Sequence, residues 1–340
     1  MLSFVSAPNH GIVCSLNRRK FALNFEESAG MLIMKTRLAT YGLQKNLRNH
    51  WQLYALLVVP LALVIIFNYI PMGGIVIAFK DYKARAGIWG SEWVGTKYFQ
   101  QFFSTPRSMS IITNTLKLSL YSILASFPFP ILLANLLNES KSPRLKKTTQ
   151  LLTYAPYFVS TVVMVGILMR LLDPQIGMIN RLITMFGGES QALMAKESFF
   201  PHIYVWSGIW QTTGYNAVIY LAALAGISPE YYEAAKIDGA SKLQNIRYIN
   251  LPLIMPTATI LLILNFGSIM SVGFEKVFLM QNSANINASE VISTYVYKVG
   301  LKNMNMSFST AINLFNSAIN MLLIISVNFI AGKLGDTSLF

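Results

Sequence analysis

At 340 residues, 54% apolar and only 12% charged, this chain carries too little charge to cover a soluble surface and too much apolar area to be disordered. A single cysteine, Cys14, and three histidines, His10, His50 and His202, exclude a disulfide framework and a Cys/His zinc centre. The net charge of +13 and the mean hydropathy of +0.47 read as basic loops lying against anionic membrane lipid, and not as a nucleic-acid surface.

The first 33 residues hold Arg18-Arg19-Lys20 and Glu26-Glu27 but no apolar core of a secretory leader. They read either as a flexible extension or as a start set too early. A basic segment, typical of cytoplasm beside a membrane, begins at Met34-Lys35-Thr36-Arg37. Residues 1–50 are expected to form a cytoplasmic head, 51–335 the membrane domain and 336–340 a tail.

Six stretches are long and apolar enough to span a bilayer as helices of about 20 residues. They are 54–79, 112–137, 151–169, 202–227, 257–274 and 309–331. The first contains Pro60, Pro71 and Gly73-Gly74, breakers that membrane helices tolerate where neighbours or water satisfy the backbone. Lys117 lies about one turn inside the second and can reach the interface. The third is short and follows a Lys-rich loop, and the fifth follows Pro252 and Pro256. The expected fold is an all-α integral membrane protein of six transmembrane helices. Fifteen Lys and Arg residues fall on the side of both termini and eleven on the other. The short loop 138–147, with Lys141, Arg144, Lys146 and Lys147, sets both termini in the cytoplasm.

The middles of these spans contain no Asp, Glu or His, which weighs against a proton-coupled carrier. Sodium coupling through carbonyls and hydroxyls stays open. No G-x-x-x-x-G-K-[ST] and no H-E-x-x-H occurs, so the chain shows neither a P-loop nor a metalloprotease helix. It reads as a non-enzyme.

The informative segment is 228–252, between spans four and five. Ser228 stands at an N-cap position with Pro229 at N1, where its missing N–H costs nothing. Glu230 and Glu233 lie in the electropositive first turn. Asp238-Gly239 signals a turn, and a second short helix is expected to stop before Pro252. The result is a cytoplasmic helix-turn-helix. Ala234 and Ala235 offer a close-approach surface beside a carboxylate. On physical grounds alone, an amphipathic interfacial loop explains it equally well.

Glu233-Ala234-Ala235, three residues, Gly239, nine residues and then Ile249-x-Leu251-Pro252 resembles the EAA signature of ABC-importer permeases along its whole length. The run 231–241, Tyr-Tyr-Glu-Ala-Ala-Lys-Ile-Asp-Gly-Ala-Ser, is similar to the carbohydrate branch, the maltose and multiple-sugar type. Phe67-Asn68-Tyr69-Ile70-Pro71-Met72-Gly73-Gly74, Ala78-Phe79-Lys80-Asp81-Tyr82 and Tyr295-Val296-Tyr297-Lys298-Val299-Gly300-Leu301 resemble permeases for complex oligosaccharides, including those for alginate and pectin fragments. The likeness covers about residues 35–335. It implies a type I importer permease in a bacterial cell membrane that pairs with a second, homologous permease. It also implies two ATPase subunits that bind ATP and magnesium, so that this chain holds no cofactor, and an extracytoplasmic solute-binding protein that delivers the sugar. By the same likeness, Glu233, Ala234, Ala235, Asp238, Gly239, Ile249, Leu251 and Pro252 couple the permease to the ATPase, with Glu233 pairing to a basic residue there.

Candidates for the substrate path follow from sugar chemistry, which uses aromatic faces and polar side chains. Trp206 and Trp210 share a helix face, with Gln211, Asn216 and Tyr220 nearby. Their alternative role is an interfacial aromatic belt. Asn265 is a polar group in an apolar span, for a path or a helix contact. Asn313, Asn316 and Asn320 step by three and four into one polar stripe facing a partner subunit or the path. A sodium-coupled carrier and a membrane scaffold or receptor are the competing classes: the first leaves the 228–252 pattern unexplained, and the second makes it only an interaction helix.

Overall fold

The computed structural model describes residues 49–334. The head 1–33, the basic residues up to Arg48 and the tail 336–340 lie outside the described residues. The chain divides into two compact units, Met1–Gly74 and Ile75–Phe340. In the first unit, α1 (Trp51–Val64) buries none of its residues. Pro60 sits inside it without ending it. A π-turn, Ile65–Tyr69, and a short helical turn, Ile70–Met72, continue the run towards Gly73.

The second unit is built almost wholly of helices. Its principal ones are α2 (Ser108–Ser126), α3 (Pro128–Asn138), α4 (Pro143–Tyr154), α5 (Thr161–Leu171) and α6 (Phe200–Ala225). They continue with α7 (Pro229–Ile237), α8 (Leu251–Phe266), α9 (Phe274–Met280) and α10 (Met306–Leu334). A small antiparallel ribbon pairs Lys80 with Trp93 and Asp81 with Glu92.

Four of the expected spans correspond to helical stretches long and apolar enough to cross a membrane: Trp51–Phe79, Ser108–Asn138, Lys242–Phe266 and Met306–Lys333. The third expected span, 151–169, is not one helix. Pro143–Phe158 and Thr161–Leu171 meet at a bend of 102°. Pro156 lies in a 3₁₀ turn at the end of the first part, and Ser160 starts the second by accepting a hydrogen bond from the Val163 amide. The fourth, α6, is 26 residues long, enough for about 39 Å at 1.5 Å per residue. Ser207, Gln211, Thr212, Thr213 and Asn216 make it more polar than the other four. The fifth begins earlier and ends earlier than expected, at Phe266 and not at 274. The chain leaves the helix at Gly267, which packs against Ile324.

Three apolar clusters hold the second unit together. One gathers Tyr98, Phe102, Ile111, Ile292, Phe308 and Ile312. Another joins Leu118 of α2, Val165 of α5, Val205 and Ile209 of α6, and Val277 and Met280 of α9. The third packs Ala134 of α3 against Ala217, Tyr220 and Leu224 of α6 and Ile254 and Ala258 of α8. Small residues let these backbones approach closely, as lipid-embedded helices require. Gly214 of α6 is the extreme case: a Cβ there would run into the Thr153 backbone of α4.

Candidate coupling site and substrate path

Between α6 and α8 the chain forms the expected helix-turn-helix. Ser228 precedes Pro229 at N1, but its side chain makes no capping bond. Glu230 lies in the first turn. Glu233 does not, standing one turn further along, exposed. The end of α7 explains the Ala235-to-Gly239 spacing. The Ala240 amide donates to the Ala235 carbonyl (2.9 Å) and the Gly239 amide to the Lys236 carbonyl (3.2 Å), with Gly239 at φ +73°. This is a Schellman closure, which places a left-handed residue four positions after the carbonyl that receives the outer bond.

Ser241 then starts the next helix with a reciprocal capping box. Its amide donates to Gln244 Oε1 (2.7 Å), and the Gln244 amide donates to Ser241 Oγ (3.4 Å). That helix does not stop before Pro252, contrary to expectation. It passes through a π-turn, Ile246–Asn250, straight into α8, where Pro252 lies in the first turn. The wider π-turn removes the clash a proline ring makes with the carbonyl four residues earlier in a regular helix.

The two faces of this unit differ. Ile237 is 87% exposed and Leu243 77%, beside exposed Glu233, Ala234 and Asp238. The other face is fixed by polar bonds. Tyr232 Oη donates to Asn250 Oδ1 (2.7 Å), and Asn250 Nδ2 donates to Asn135 Oδ1 (3.0 Å). Asn135 Nδ2 donates to the Ile131 carbonyl (2.9 Å), and both asparagines are buried. Burial pushes the Tyr232 phenol above its usual range, which keeps it a donor. Lys242 Nζ donates to the Glu139 carbonyl (2.7 Å). Ile249 and Leu251 are half-buried, and Leu251 packs on the third apolar cluster. Asn135, Asn250 and Tyr232 were not among the residues selected from sequence. Two buried amides on different spans were the only available signal.

The expected substrate residues separate into several places. Trp206 is 51% exposed, although its Nε1 donates to Tyr121 Oη (3.1 Å) and its ring meets Phe129 edge-on at 5.6 Å. Trp210 is 55% exposed. Asn216, Tyr220 and Asn265 come together around a cavity of about 160 Å³. The asparagine stripe of α10 is not one surface. Asn320 accepts from the Met270 amide (2.9 Å) and donates to Ser271 Oγ (3.0 Å), fixing the turn after α8. Asn313 is exposed and Asn316 half-buried.

A larger cavity, about 400 Å³, lies elsewhere along α6. Ser122, Thr161, Gln211, Thr212, Tyr204 and Lys276 line it. Gln211 Nε2 also donates to the Val159 carbonyl (3.0 Å). Lys276 was read from sequence only as a loop cation. In the structure its Nζ donates to the Tyr204 carbonyl (2.8 Å) and lies 4.8 Å from the Tyr204 ring centre. Burial lowers its ammonium to about 8. A charged pair, Glu275-Lys276, within the apolar run 269–280 was the sequence signal for it.

Spanning helices, cavities along α6 and an exposed helix-turn-helix fastened to two spans are the features of a membrane permease subunit. The chain belongs to the family of binding-protein-dependent transport system inner membrane components, matched over residues 126–336. It is 42% identical over 276 residues to the polygalacturonan/rhamnogalacturonan transport system permease protein YteP of Bacillus subtilis (strain 168), covering 81% of this chain and 86% of that protein. Protein LplB of the same organism is 41% identical over 293 residues, covering 86% of this chain and 92% of that one. Among solved structures, a chain of the bacterial alginate ABC transporter in complex with an alginate pentasaccharide-bound periplasmic protein superposes with a TM-score of 0.80 at 34% identity. That match covers 87% of this chain and 99% of the other. The resemblance drawn from the EAA-type spacing is therefore met at the level of family and fold: the chain is an ABC-importer permease of type I.

Proposed function

We propose that this chain is one of two homologous permease subunits of an ATP-driven importer for oligosaccharides, and that α7 carries the closure of the ATPase subunits to the spans. The observation that carries the coupling role is the two-faced geometry of 228–252. Apolar and acidic groups face outward, while Tyr232, Asn250 and Lys242 fasten the other face to the spans. The oligosaccharide class follows the relatives, one described as a polygalacturonan/rhamnogalacturonan permease and one as an importer of the acidic polysaccharide alginate. ATP and magnesium belong to the two ATPase subunits, this chain binds no cofactor, and an extracytoplasmic solute-binding protein delivers the sugar. The chain lies in a bacterial cell membrane with both termini cytoplasmic.

Reconstitution of the chain with its partner permease, ATPase subunits and loaded receptor in proteoliposomes tests this reading. ATP-dependent uptake of an oligosaccharide is the expected result, and its absence in a fully assembled complex overturns the reading. Within that system, Glu233→Ala removes an exposed carboxylate from the outward face of α7. Sugar-stimulated ATP hydrolysis is expected to fall while insertion stays normal, because Glu233 touches no span. Unchanged stimulation would take Glu233 out of the ATPase contact.

The orientation is checked separately. A cysteine placed at Ser142, the N-cap of α4, is expected to resist an impermeant thiol reagent in intact cells and to react after permeabilisation. A tag inserted within 180–198 is expected to be reached from outside. Labelling at position 142 in intact cells reverses the assignment.

A further inference from the structure

Past the end of α5, the helix Met178–Met185 turns apolar side chains outward. Met178, Leu182 and Met185 step by four and three and so share a face, which Phe186 extends. All four are exposed, Met185 at 80% and Phe186 at 89%. Behind this face the segment is firmly held. Asn180 is buried, and its Nδ2 donates to the carbonyls of Leu172 (3.0 Å), Asp173 (3.1 Å) and Gln191 (3.0 Å), while its Oδ1 accepts from the Gln191 amide (2.9 Å). At Gly177 a Cβ would sit 2.4 Å from the Asp173 carbonyl oxygen, so only glycine admits this entry to the helix. At the other end the Gly188 amide donates to the Ile183 carbonyl (2.9 Å) and the Gly187 amide to the Thr184 carbonyl (3.1 Å), with Gly187 at φ +82°. That is a second Schellman closure. An exposed apolar face on so rigid a mount is built to be covered.

Position, size and charge choose what covers it. Leu172 and Asp173 are the first residues after α5, so the bonds of Asn180 fix the helix at the end of α5. The exposed residues Val163, Ile167 and Leu171 of α5 recur at every fourth position, an apolar stripe that runs up to this end. The helix has eight residues, a face of about 12 by 10 Å. That is a small fraction of the roughly 800 Å² per partner that a stable protein interface buries. Lipid sets no such threshold, because each side chain that enters it contributes by its own apolar area.

Arg181 stands on the same face, three positions after Met178 and four before Met185, and is exposed. The segment 178–186 contains no carboxylate, and both ion pairs among the described residues belong to Glu290. A dry protein contact would have to supply Arg181 with an acid. At a headgroup boundary the arginine stem lies with the acyl chains and the guanidinium reaches a phosphate.

We infer that the helix Met178–Met185 lies in the headgroup boundary of the phospholipid bilayer, in the outer leaflet for the orientation proposed above. Met178, Leu182, Met185 and Phe186 enter the acyl chains and Arg181 pairs with a lipid phosphate. The helix thereby holds α5, the second half of the bent span, at a fixed depth. The inference needs only that the chain spans a membrane, and not that it imports a sugar.

The test uses the full chain in its assembled complex in cell membranes. The photoreactive aromatic p-benzoylphenylalanine takes the place of Phe186 in one variant and of the exposed Glu189, beyond the closure, in another. After illumination, the mass of the purified chain shows whether a phospholipid or a protein has been captured. A phospholipid adduct is expected at 186 and little or none at 189. Adding Met178→Gln, Leu182→Gln and Met185→Gln is expected to remove most of the adduct while the amount of chain in the membrane stays the same, because these side chains are exposed and carry no core packing. Arg181→Glu is expected to lower the yield several-fold and Arg181→Lys to keep it. Capture of the partner permease or of the solute-binding protein at 186 overturns the inference. So does equal lipid capture at 186 and 189, no capture at 186, or lipid capture that survives the triple substitution. An unchanged yield in Arg181→Glu removes the phosphate contact from it.

Discussion

Gly239→Val is expected to abolish sugar-stimulated ATP hydrolysis in the assembled importer while leaving the chain inserted in the membrane. Gly239 sits at φ +73°, and nothing lies within 4 Å of where its Cβ would be. The cost of a side chain is therefore conformational and not steric against neighbours. A left-handed conformation costs an ordinary L-residue about 1–2 kcal/mol, and a β-branched one more. Valine relieves that strain by leaving the left-handed region. It then breaks the bond from the Ala240 amide to the Ala235 carbonyl and the one from the Gly239 amide to Lys236. The end of α7 frays, the Ser241 capping box shifts, and the outward face that carries Glu233 and Ile237 loses its aim. Gly239→Asn separates this account from a general intolerance of side chains. Asparagine enters the left-handed region at lower cost and is expected to keep most of the stimulation. ATP hydrolysis by the complex, with and without loaded receptor, is the measurement. Wild-type stimulation in Gly239→Val would mean that the turn does not hold α7 in its working direction.

The turn at Gly239 was legible because its determinants are local. A proline at N1 and an Asp-Gly turn signal are read within four residues of where they act, whereas Ser228, read as the N-cap, makes no capping bond and Ser241, which does, was not singled out. The spans 54–79, 112–137 and 309–331 were legible for a related reason: hydropathy sums over a window as long as the object it detects. The third span shows the limit of that sum. The segments around Pro156 and Ser160 average as apolar, and an average does not register a 102° bend at their junction. Pro252 misled in the opposite way. Its helix-stopping rule assumes a regular turn before it, and the preceding residues form a π-turn instead.

Side-chain roles set by distant partners were not legible. Asn320 belongs to a stripe with the right helical spacing, yet its partners Met270 and Ser271 lie fifty positions away and turn it into a structural clamp. Lys276 was counted among loop cations because charge content marks loops. Its place against Tyr204 arises only when α9 packs beside α5 and α6. The pairing of Asn135 with Asn250 spans 115 positions and two helices, and neither residue has a neighbour in sequence that announces the other.

That pairing carries the last expected result. Asn250→Leu is expected to destabilise the chain and to uncouple it, and the two effects are separable. Leucine has a similar volume, so the packing around position 250 survives, but both side-chain hydrogen bonds of Asn250 are lost. Asn135 Oδ1 loses its donor and Tyr232 Oη loses its acceptor. Each buried polar group left unpaired costs about 1–3 kcal/mol. Asn135→Leu/Asn250→Leu removes the orphaned amide as well, and replacing both partners of a buried pair by apolar groups is close to neutral. The double variant is therefore expected to recover most of the thermal stability lost by Asn250→Leu. It is not expected to recover sugar-stimulated ATP hydrolysis, because Tyr232 of α7 still lacks its acceptor at position 250. Thermal unfolding of the purified complex and receptor-stimulated ATP hydrolysis report the two quantities side by side. If the double variant recovers both, the asparagine pair serves only the packing of α3 against the π-turn before α8, and the hold of 228–252 on the spans rests on other contacts, Tyr232 with Asn138 and Lys242 on the Glu139 carbonyl among them.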